Sequence, residues 1–375
     1  MRRARLDALP SELQTEIIGH LCAGHRSKAC YPLSRCSRYW RAACVPFAFA
    51  SIDLADTSND AISRFIALAA THNHLIKRLA ISIDIPSRVL DRHVNQSRIS
   101  NEFVAKRETQ RQSLIATLLP TLSRLTAVTI YFHSYWSVLE GHREDGTKVA
   151  LKALSSLPSV HALSLKGKLS AEVAHLLYEL IPRHLLSVEV HQLSYFAQSC
   201  TDALWSTFLQ LPTITSMTLH GITRPSNGVA VAPQGPAPRL ANLSFQHRNL
   251  GIRDMFTVLH SIGGTVRRLE VAANCPNAVY PVPSSGIEPP TFPHLSILEL
   301  HPGSSEVFNI LSDLFRRSSV RDIRLHLNDL FHSVDLFLAP VQEGFFPNMR
   351  SLTLHLIVHP EEDHDSEDDE EHGVA

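Results

Sequence analysis

The chain has 375 residues, of which 44% are hydrophobic and 19% charged, a balance typical of a protein with a sizeable core. Its basic start is followed by Asp7 and Pro10, and no uncharged run approaches the roughly 18 residues of a membrane helix, so we expect neither a secretory signal nor a membrane span. The six cysteines form no dense framework, and we expect reduced thiols and a cytoplasmic or nuclear location.

The charge is unevenly distributed. Residues 361–371 hold nine of the 36 acidic residues, which leaves 27 acidic against 35 basic residues in the rest of the chain. We predict a disordered acidic tail over 360–375. The body is only mildly basic and has no basic stripe with interleaved aromatic residues, so we expect no nucleic-acid partner.

The first predicted elements are two short helices. A capping-box pattern of Ser11 and Gln14 starts the first, whose apolar face contains Leu13, Ile17, Ile18 and Leu21. The second is predicted to begin near Pro32 and to place Leu33, Cys36, Trp40, Ala43 and Cys44 along one side. Because two short helices bury little surface alone, they need a partner, which is either the following segment or another protein.

A six-residue phrase then recurs eleven times. It consists of an aliphatic residue, two variable residues, an aliphatic residue, one variable residue and an apolar residue. Eight of the ten separations between successive copies lie between 25 and 29 residues, a period typical of a solenoid. The copies span 49–54, 76–81, 125–130, 160–165, 185–190, 214–219, 240–245, 266–271, 295–300, 320–325 and 349–354.

Each phrase predicts a strand followed by a helix. Its last two apolar residues are two positions apart and so share one face of a strand. Helical periodicity follows most clearly over 170–180 and 305–317. A polar insertion over 84–112 is expected to contain a longer helix in its later part. The proline-rich segments 224–239 and 275–293 are predicted to be loops.

The repeat resembles the leucine-rich-repeat family in its longer, helix-bearing form. The resemblance implies an α/β solenoid over 48–359 with a curved parallel sheet, outer helices and about eleven irregular units. The family's asparagine after the strand appears only as Asn274 and Asn328. Other residues occupy that position elsewhere, including Asp84, so we expect an irregular array.

The N-terminal segment 1–47 resembles the F-box, a small all-α domain. The resemblance rests on Leu-Pro with an acid two places on, the following aliphatic residues, and a Ser-Arg-aromatic-Trp cluster over 37–40. It implies docking onto a Skp-family adaptor and, through it, cullin and RING subunits. The implied adaptor-facing residues are Leu9, Pro10, Glu12, Ile17, Ile18, Leu21 and Trp40. The alternative is that the segment only caps the open end of the solenoid.

Histidine is enriched directly after the strands. Among the eleven positions that follow the last apolar residue, five are histidine, whereas 22 histidines in 375 residues predict about 0.6. Strand alternation directs this position toward the concave face, where one column of three and another of two are expected to bind an acidic or phosphorylated substrate segment. The five residues are His191, His220, His301, His326 and His355.

Signatures of catalysis are missing. The sequence contains no phosphate-binding loop, no dinucleotide fingerprint, no zinc-protease motif and no serine-hydrolase elbow, and no two cysteines are closer than six positions. We expect no enzyme activity and no cofactor. We also expect no metal, because no carboxylate or thiolate partners the histidines at an obvious spacing.

These patterns favour a non-catalytic substrate receptor of an F-box-type ubiquitin ligase that binds an unknown protein substrate. The first alternative is a leucine-rich-repeat scaffold without a ubiquitin role. A more distant alternative is an activator of a small GTPase.

Overall fold

The fold is seen in a computed structural model. It describes residues 9–22, 32–84, 101–133, 140–167, 169, 171–192, 204, 207–208, 210–220, 239–247, 262–273, 292–302, 304–316, 318–328, 342–344 and 346–357. The acidic tail over 360–375 lies outside this part of the chain, as do residues 85–100 of the insertion and almost all of the two proline-rich segments.

Seven helices are described. They are α1 (Ser11–Cys22), α2 (Arg38–Ala50), α3 (Asn59–His72), α4 (Asn101–Leu118), α5 (Glu140–Ser155), α6 (Ala171–Leu180) and α7 (Ser305–Phe315), with short 3-10 turns at Asn73–Leu75 and Leu119–Thr121. The first helix, the long helix of the insertion and the helices predicted over 170–180 and 305–317 are confirmed as α1, α4, α6 and α7.

The start of α2 differs from the prediction. A single helical turn occupies 32–34, but α2 begins at Arg38. Ser37 is its N-cap, with extended backbone, and the Ser37 hydroxyl accepts a hydrogen bond from the Trp40 amide at 3.2 Å. A serine side chain that satisfies a free amide starts a helix more strongly than the apolar spacing from Pro32 onward.

All eleven predicted strands are present. They are β1 (Ser51–Asp53), β2 (Arg78–Ser82), β3 (Ala127–Phe132), β4 (Ala162–Gly167), β5 (Ser187–Gln192), β6 (Ser216–His220), β7 (Asn242–His247), β8 (Arg268–Ala273), β9 (Ile297–Pro302), β10 (Asp322–Asn328) and β11 (Ser351–Ile357). They form one sheet in sequence order. Every neighbouring pair is parallel. The predicted α/β solenoid is therefore confirmed.

The main core lies between the sheet and helices α3 to α7. The last two apolar residues of each phrase from β2 to β10, such as Leu298 and Leu300 in β9, are buried there. Helix α7 shows how a helix joins this core. The Ser304 hydroxyl accepts from the Val307 amide at the helix start, and Phe308 and Phe315 are fully buried. The opposite, open face of the sheet is free of described helices.

A line of backbone carbonyls connects the repeats just before the strands. The carbonyl of Thr215 accepts from the amides of Ala241 and Asn242, and the carbonyl of Ala241 accepts from those of Arg267 and Arg268. The same pattern runs from Lys77 to Arg321. Because each carbonyl fixes two consecutive amides of the next repeat, the strands start in the same register.

A buried arginine from the insertion binds backbone carbonyls at the ends of the first two strands. Arg111 of α4 is 0% exposed, and its guanidinium donates to the carbonyls of Leu54, Ala55, Thr57 and Ser82 at 2.7–3.1 Å. Burial lowers the pKa of Arg111 to about 10, and nearby acidic groups, Asp84 first, oppose that shift. The arginine remains charged at neutral pH.

Asp84, just after β2, stands where the leucine-rich-repeat pattern has an asparagine. Its side chain is buried, and Oδ1 accepts a hydrogen bond from the His133 amide of the next repeat at 2.9 Å. The Ser82 hydroxyl also lies 3.1 Å from the same oxygen. A carboxylate can make this contact because it accepts hydrogen bonds as the amide oxygen of asparagine does.

Replacing Arg111 should destabilise the N-terminal repeats. In Arg111→Met, four carbonyls lose their charged donor and Asp84 loses its neighbouring positive charge, so the free energy of unfolding should fall by about 3 kcal/mol or more. Urea unfolding measures the loss. Lys106→Met, an exposed change on the same helix, should stay within about 0.5 kcal/mol of the wild type. Equal effects of the two changes would contradict a structural role for the arginine.

Candidate functional site

The N-terminal helices form a small core of their own. Ile18 of α1 and Trp40 and Cys44 of α2 are buried against one another, and Leu33 and Phe47 pack at the edge. Burial raises the pKa of the Cys44 thiol, which is a free cysteine. Of the predicted adaptor-facing residues, Ile18 and Trp40 therefore lie between the two helices.

The helix pair is joined directly to the first repeat. Helix α2 ends at Ala50 and β1 begins at Ser51, so the predicted domain boundary after residue 47 falls inside α2. The Ala50 carbonyl accepts from the Lys77 amide at 3.1 Å. Phe49 packs on the main core, and its ring lies 4.6 Å from that of His72. One face of α2 thus covers the end of the sheet.

The outer side of the pair exposes apolar side chains. Leu13 is 46% exposed and Tyr39 is 49% exposed. Ile17 lies one turn after Leu13 and is half-buried. Leu13 and Ile17 share one face of α1, because residues four apart lie on the same side of a helix. Ile18 lies on another face, which is turned toward α2.

The remaining predicted adaptor-facing residues lie at the start and end of α1. Pro10 and Glu12 are exposed and Leu9 is half-buried, whereas the side chain of Leu21 is outside the described part. The predicted capping box is not formed as expected, since Gln14 Nε2 donates to the Leu9 carbonyl at 2.6 Å. This bond ties the Leu9–Pro10 segment to the helix.

The second candidate surface is the open face of the sheet. Its histidines occupy equivalent positions of neighbouring strands, and His191 is paired with His220 and His326 with His355 in the sheet register. The His191 and His220 rings stack at 4.1 Å. The rings of His301 and His326 stack at 4.0 Å, and those of His326 and His355 at 4.3 Å. The predicted columns of two and three histidines are confirmed; their role in substrate binding stays a prediction.

Sequence reasoning missed the carboxylates beside these columns. Glu299 lies two positions before His301 and is buried, and its Oε1 is 2.9 Å from His326 Nε2 and 3.9 Å from His301 Nε2. Its other oxygen, Oε2, accepts from Arg268 at 2.8 Å, and Arg324 lies 3.7 Å from it. The alternation that places the histidines on the open face also places the residue two positions earlier there, and that spacing was the available signal.

The column of two repeats the same arrangement. Glu189 lies two positions before His191, and the His191 ring nitrogen contacts the Glu189 carboxylate directly. Burial by itself raises the pKa of Glu189, but hydrogen bonds from His191 and Ser164 and the positive charges of His191 and Lys166 together outweigh it, so the pKa is lowered. The open face therefore holds compensated charges rather than a purely basic row.

His326, the middle histidine of the column of three, holds its proton less strongly than free histidine. Burial and the neighbouring His301 lower the pKa of His326, although its hydrogen bond to Glu299 acts in the opposite direction. His326 is therefore neutral at neutral pH. Any contact with an anion that needs a protonated His326 therefore requires a pH below the one at which free histidine is protonated.

Donor atoms of Glu299, His301 and His326 lie within 4.8 Å of one another. The expectation of no metal rested on the absence of a carboxylate near the histidines, and that premise is wrong here. The three residues are a carboxylate and two imidazoles, which are common zinc ligands.

No family model and no curated protein matches the chain. Among solved structures, the chain is similar to the leucine-rich-repeat-containing protein LegL7 from Legionella pneumophila, with 13% identity, a TM-score of 0.39, and coverage of 82% of this chain and 90% of that one. It is also similar to a chain in the crystal structure of the Rad7 and Elc1 complex in yeast, with 11% identity, a TM-score of 0.33, and coverage of 84% and 88%. No described helix is long and apolar enough to cross a membrane.

Two substitutions should move the pKa of His326 in opposite directions. Glu299→Gln removes the negative charge and charged acceptor that favour the imidazolium, so the pKa should fall. His301→Ala removes a repelling neighbour and opens the site to water, so the pKa should rise. NMR titration in EDTA, with the resonance assigned from His326→Gln, measures both shifts. Shifts of the same sign would contradict the described network.

Proposed function

We propose that the protein is the substrate-recognition subunit of an SCF-type ubiquitin ligase. The proposal rests on one observation above all: a helix pair with its own core, fixed to the first repeat, exposes Leu13 beside Ile17 and the Leu9–Pro10 segment. Leu13 is exposed and Ile17 half-buried, and apolar side chains at this four-residue spacing on a short helix are suited to a groove on a partner protein.

The Skp-family adaptor is the proposed occupant of this surface. Leu9, Pro10, Glu12 and Ile17 would contact it, as the F-box resemblance implies, and exposed Leu13 and Tyr39 extend the set. Ile18 and Trp40 would act indirectly, because their packing holds α1 and α2 at a fixed angle. The side chain of Leu21, four residues after Ile17, completes the implied set.

The repeat array would hold the substrate. In this proposal the protein forms no bond itself, and a cullin and a RING subunit reached through the adaptor bring the conjugating enzyme close to the bound substrate. The contribution to rate is a raised local concentration. The substrate segment would lie along the histidine columns, whose imidazole rings suit an acidic or phosphorylated segment. These residues are His191, His220, His301, His326 and His355.

A leucine-rich-repeat scaffold without a ubiquitin role is the second candidate. It is favoured by the contact of α2 with the first repeat, since Phe49 packs on the main core as a capping residue would. A capping role accounts for the apolar side chains on the side of α2 that faces the first repeat. It does not explain the exposure of Leu13 and Tyr39 on the outward side.

Adaptor binding separates the two candidates. Isothermal titration of the full chain with a purified Skp-family adaptor should show one binding site, and Leu13→Ala with Ile17→Ala should weaken it at least about tenfold, since buried apolar anchors dominate such interfaces. Leu68→Ala changes another exposed leucine, 52% exposed on α3, and should bind as the wild type does. Circular dichroism confirms folding of each variant.

Failure of the folded wild type to bind the adaptor would contradict the ubiquitin-ligase proposal and leave the scaffold as the better account. Equal weakening by Leu68→Ala would show that the binding surface lies elsewhere.

A further inference from the structure

We propose that Glu299, His301 and His326 form a binding site for one Zn²⁺ ion on the open face of the sheet. The site is independent of adaptor binding, because its residues belong to β9 and β10 and the adaptor surface belongs to α1 and α2. Among the residues that the structure describes, this is the one group of three whose donor atoms come so close together.

The donor atoms are near the separations that a zinc ion requires. Zinc bonds of about 2.0–2.2 Å in a tetrahedron place donor atoms roughly 3.3 Å apart. Glu299 Oε1 is 2.9 Å from His326 Nε2 and 3.9 Å from His301 Nε2, so these distances bracket that value. Adjacent strands supply the ligands, and their pairing holds the two backbones in place.

An imidazole nitrogen at the centre of the group lacks a hydrogen bond. His301 Nε2 is buried and makes none, and the nearest carboxylate oxygens lie at 3.5 Å on Glu270 and 3.9 Å on Glu299. Buried polar atoms normally have a hydrogen-bond partner, so this nitrogen is a candidate ligand atom that no protein hydrogen bond occupies. A metal ion would satisfy this nitrogen.

The carboxylate is already oriented for metal binding. Arg268 and Arg324 both approach Glu299 Oε2, while Oε1 faces the two imidazoles. Outer hydrogen bonds of this kind fix the direction of a metal-binding carboxylate. The two arginines also balance the negative charge of Glu299, which explains how a nearly buried glutamate is tolerated.

One ring must turn when the metal binds. The His301 and His326 rings are nearly parallel, at 8°, so their nitrogen lone pairs run side by side instead of converging. His301 is free to turn on one side, because its neighbour in the sheet register is the small residue Ala272. His326 is held on its other side by His355. Binding should therefore break the first stack and keep the second.

A fourth ligand position would face the open side of the sheet. Glu270 is the nearest protein candidate, with Oε1 3.5 Å from His301 Nε2, and water is the other. Zinc is the expected ion because two imidazoles and one carboxylate with an open position are a common zinc set.

The test is Zn²⁺ titration of the full chain after removal of metal with EDTA. We expect one ion per chain in isothermal titration. His301→Ala and Glu299→Gln should each weaken binding at least about tenfold, since loss even of an outer-sphere partner costs about 10- to 100-fold. The matched control is His220→Ala, which removes a stacked histidine from the other column of the open face and should change affinity by less than about threefold, because His220 touches none of the three ligands.

Three results would overturn the proposal: no one-to-one binding by the wild type, unchanged affinity in His301→Ala, or equal weakening in His220→Ala, which would indicate general histidine binding. Circular dichroism shows whether Glu299→Gln remains folded. If it does not, His301→Ala decides the outcome alone. The NMR signals of His301 provide a second readout, because they should lose the ring-current shift of stacking when Zn²⁺ is added.

Discussion

The structure depends on in-register pairing of successive parallel strands. Each repeat places one carbonyl so that two amides of the next repeat bind it, and the strands that follow align residue by residue. Parallel strands lie about 4.8 Å apart, so any residue type that recurs at one position becomes a continuous column. The apolar columns form the core on one side. The histidine and glutamate columns form the open face on the other.

Where a repeat departs from the regular pattern, other side chains must make the hydrogen bonds that a regular repeat makes. At the first long interval, between β2 and β3, Asp84 takes the place of the strand-end asparagine. Arg111 from the insertion donates hydrogen bonds to four backbone carbonyls near the strand ends. The charged insertion therefore contributes a buried side chain to the interior as well as residues to the surface. Its buried guanidinium is tolerated because carbonyl dipoles and Asp84 surround it.

The elements that could be predicted from the sequence are those with a strict period. Strand positions and both histidine stacks follow from two-residue alternation and a constant repeat length. The side chains that bind across repeats could not be predicted, because Arg111 reaches strands more than 25 residues earlier in the chain. Glu299 was missed for a different reason: its spacing was visible, but its partner His326 belongs to the next strand.

The N-terminal helices show a similar limit. The F-box resemblance placed Ile18 and Trp40 in one adaptor-facing set with Leu9 and Ile17, but it could not tell which of them face the neighbouring helix. Packing resolves this, since Ile18 and Trp40 are nearly fully buried and Leu13 is left outside. The same pair therefore has an inner side that stabilises it and covers the sheet, and an outer side with apolar side chains available to a partner.

We propose that a Skp-family adaptor would bind only the outer side of the helix pair and leave the open face of the sheet free. Hydrogen–deuterium exchange of the full chain with and without a purified Skp-family adaptor measures where the adaptor binds. We expect added protection in the peptides covering 9–22 and 32–50 and unchanged exchange in β5 to β10. Protection of the strands without protection of α1, or no change anywhere, would contradict it.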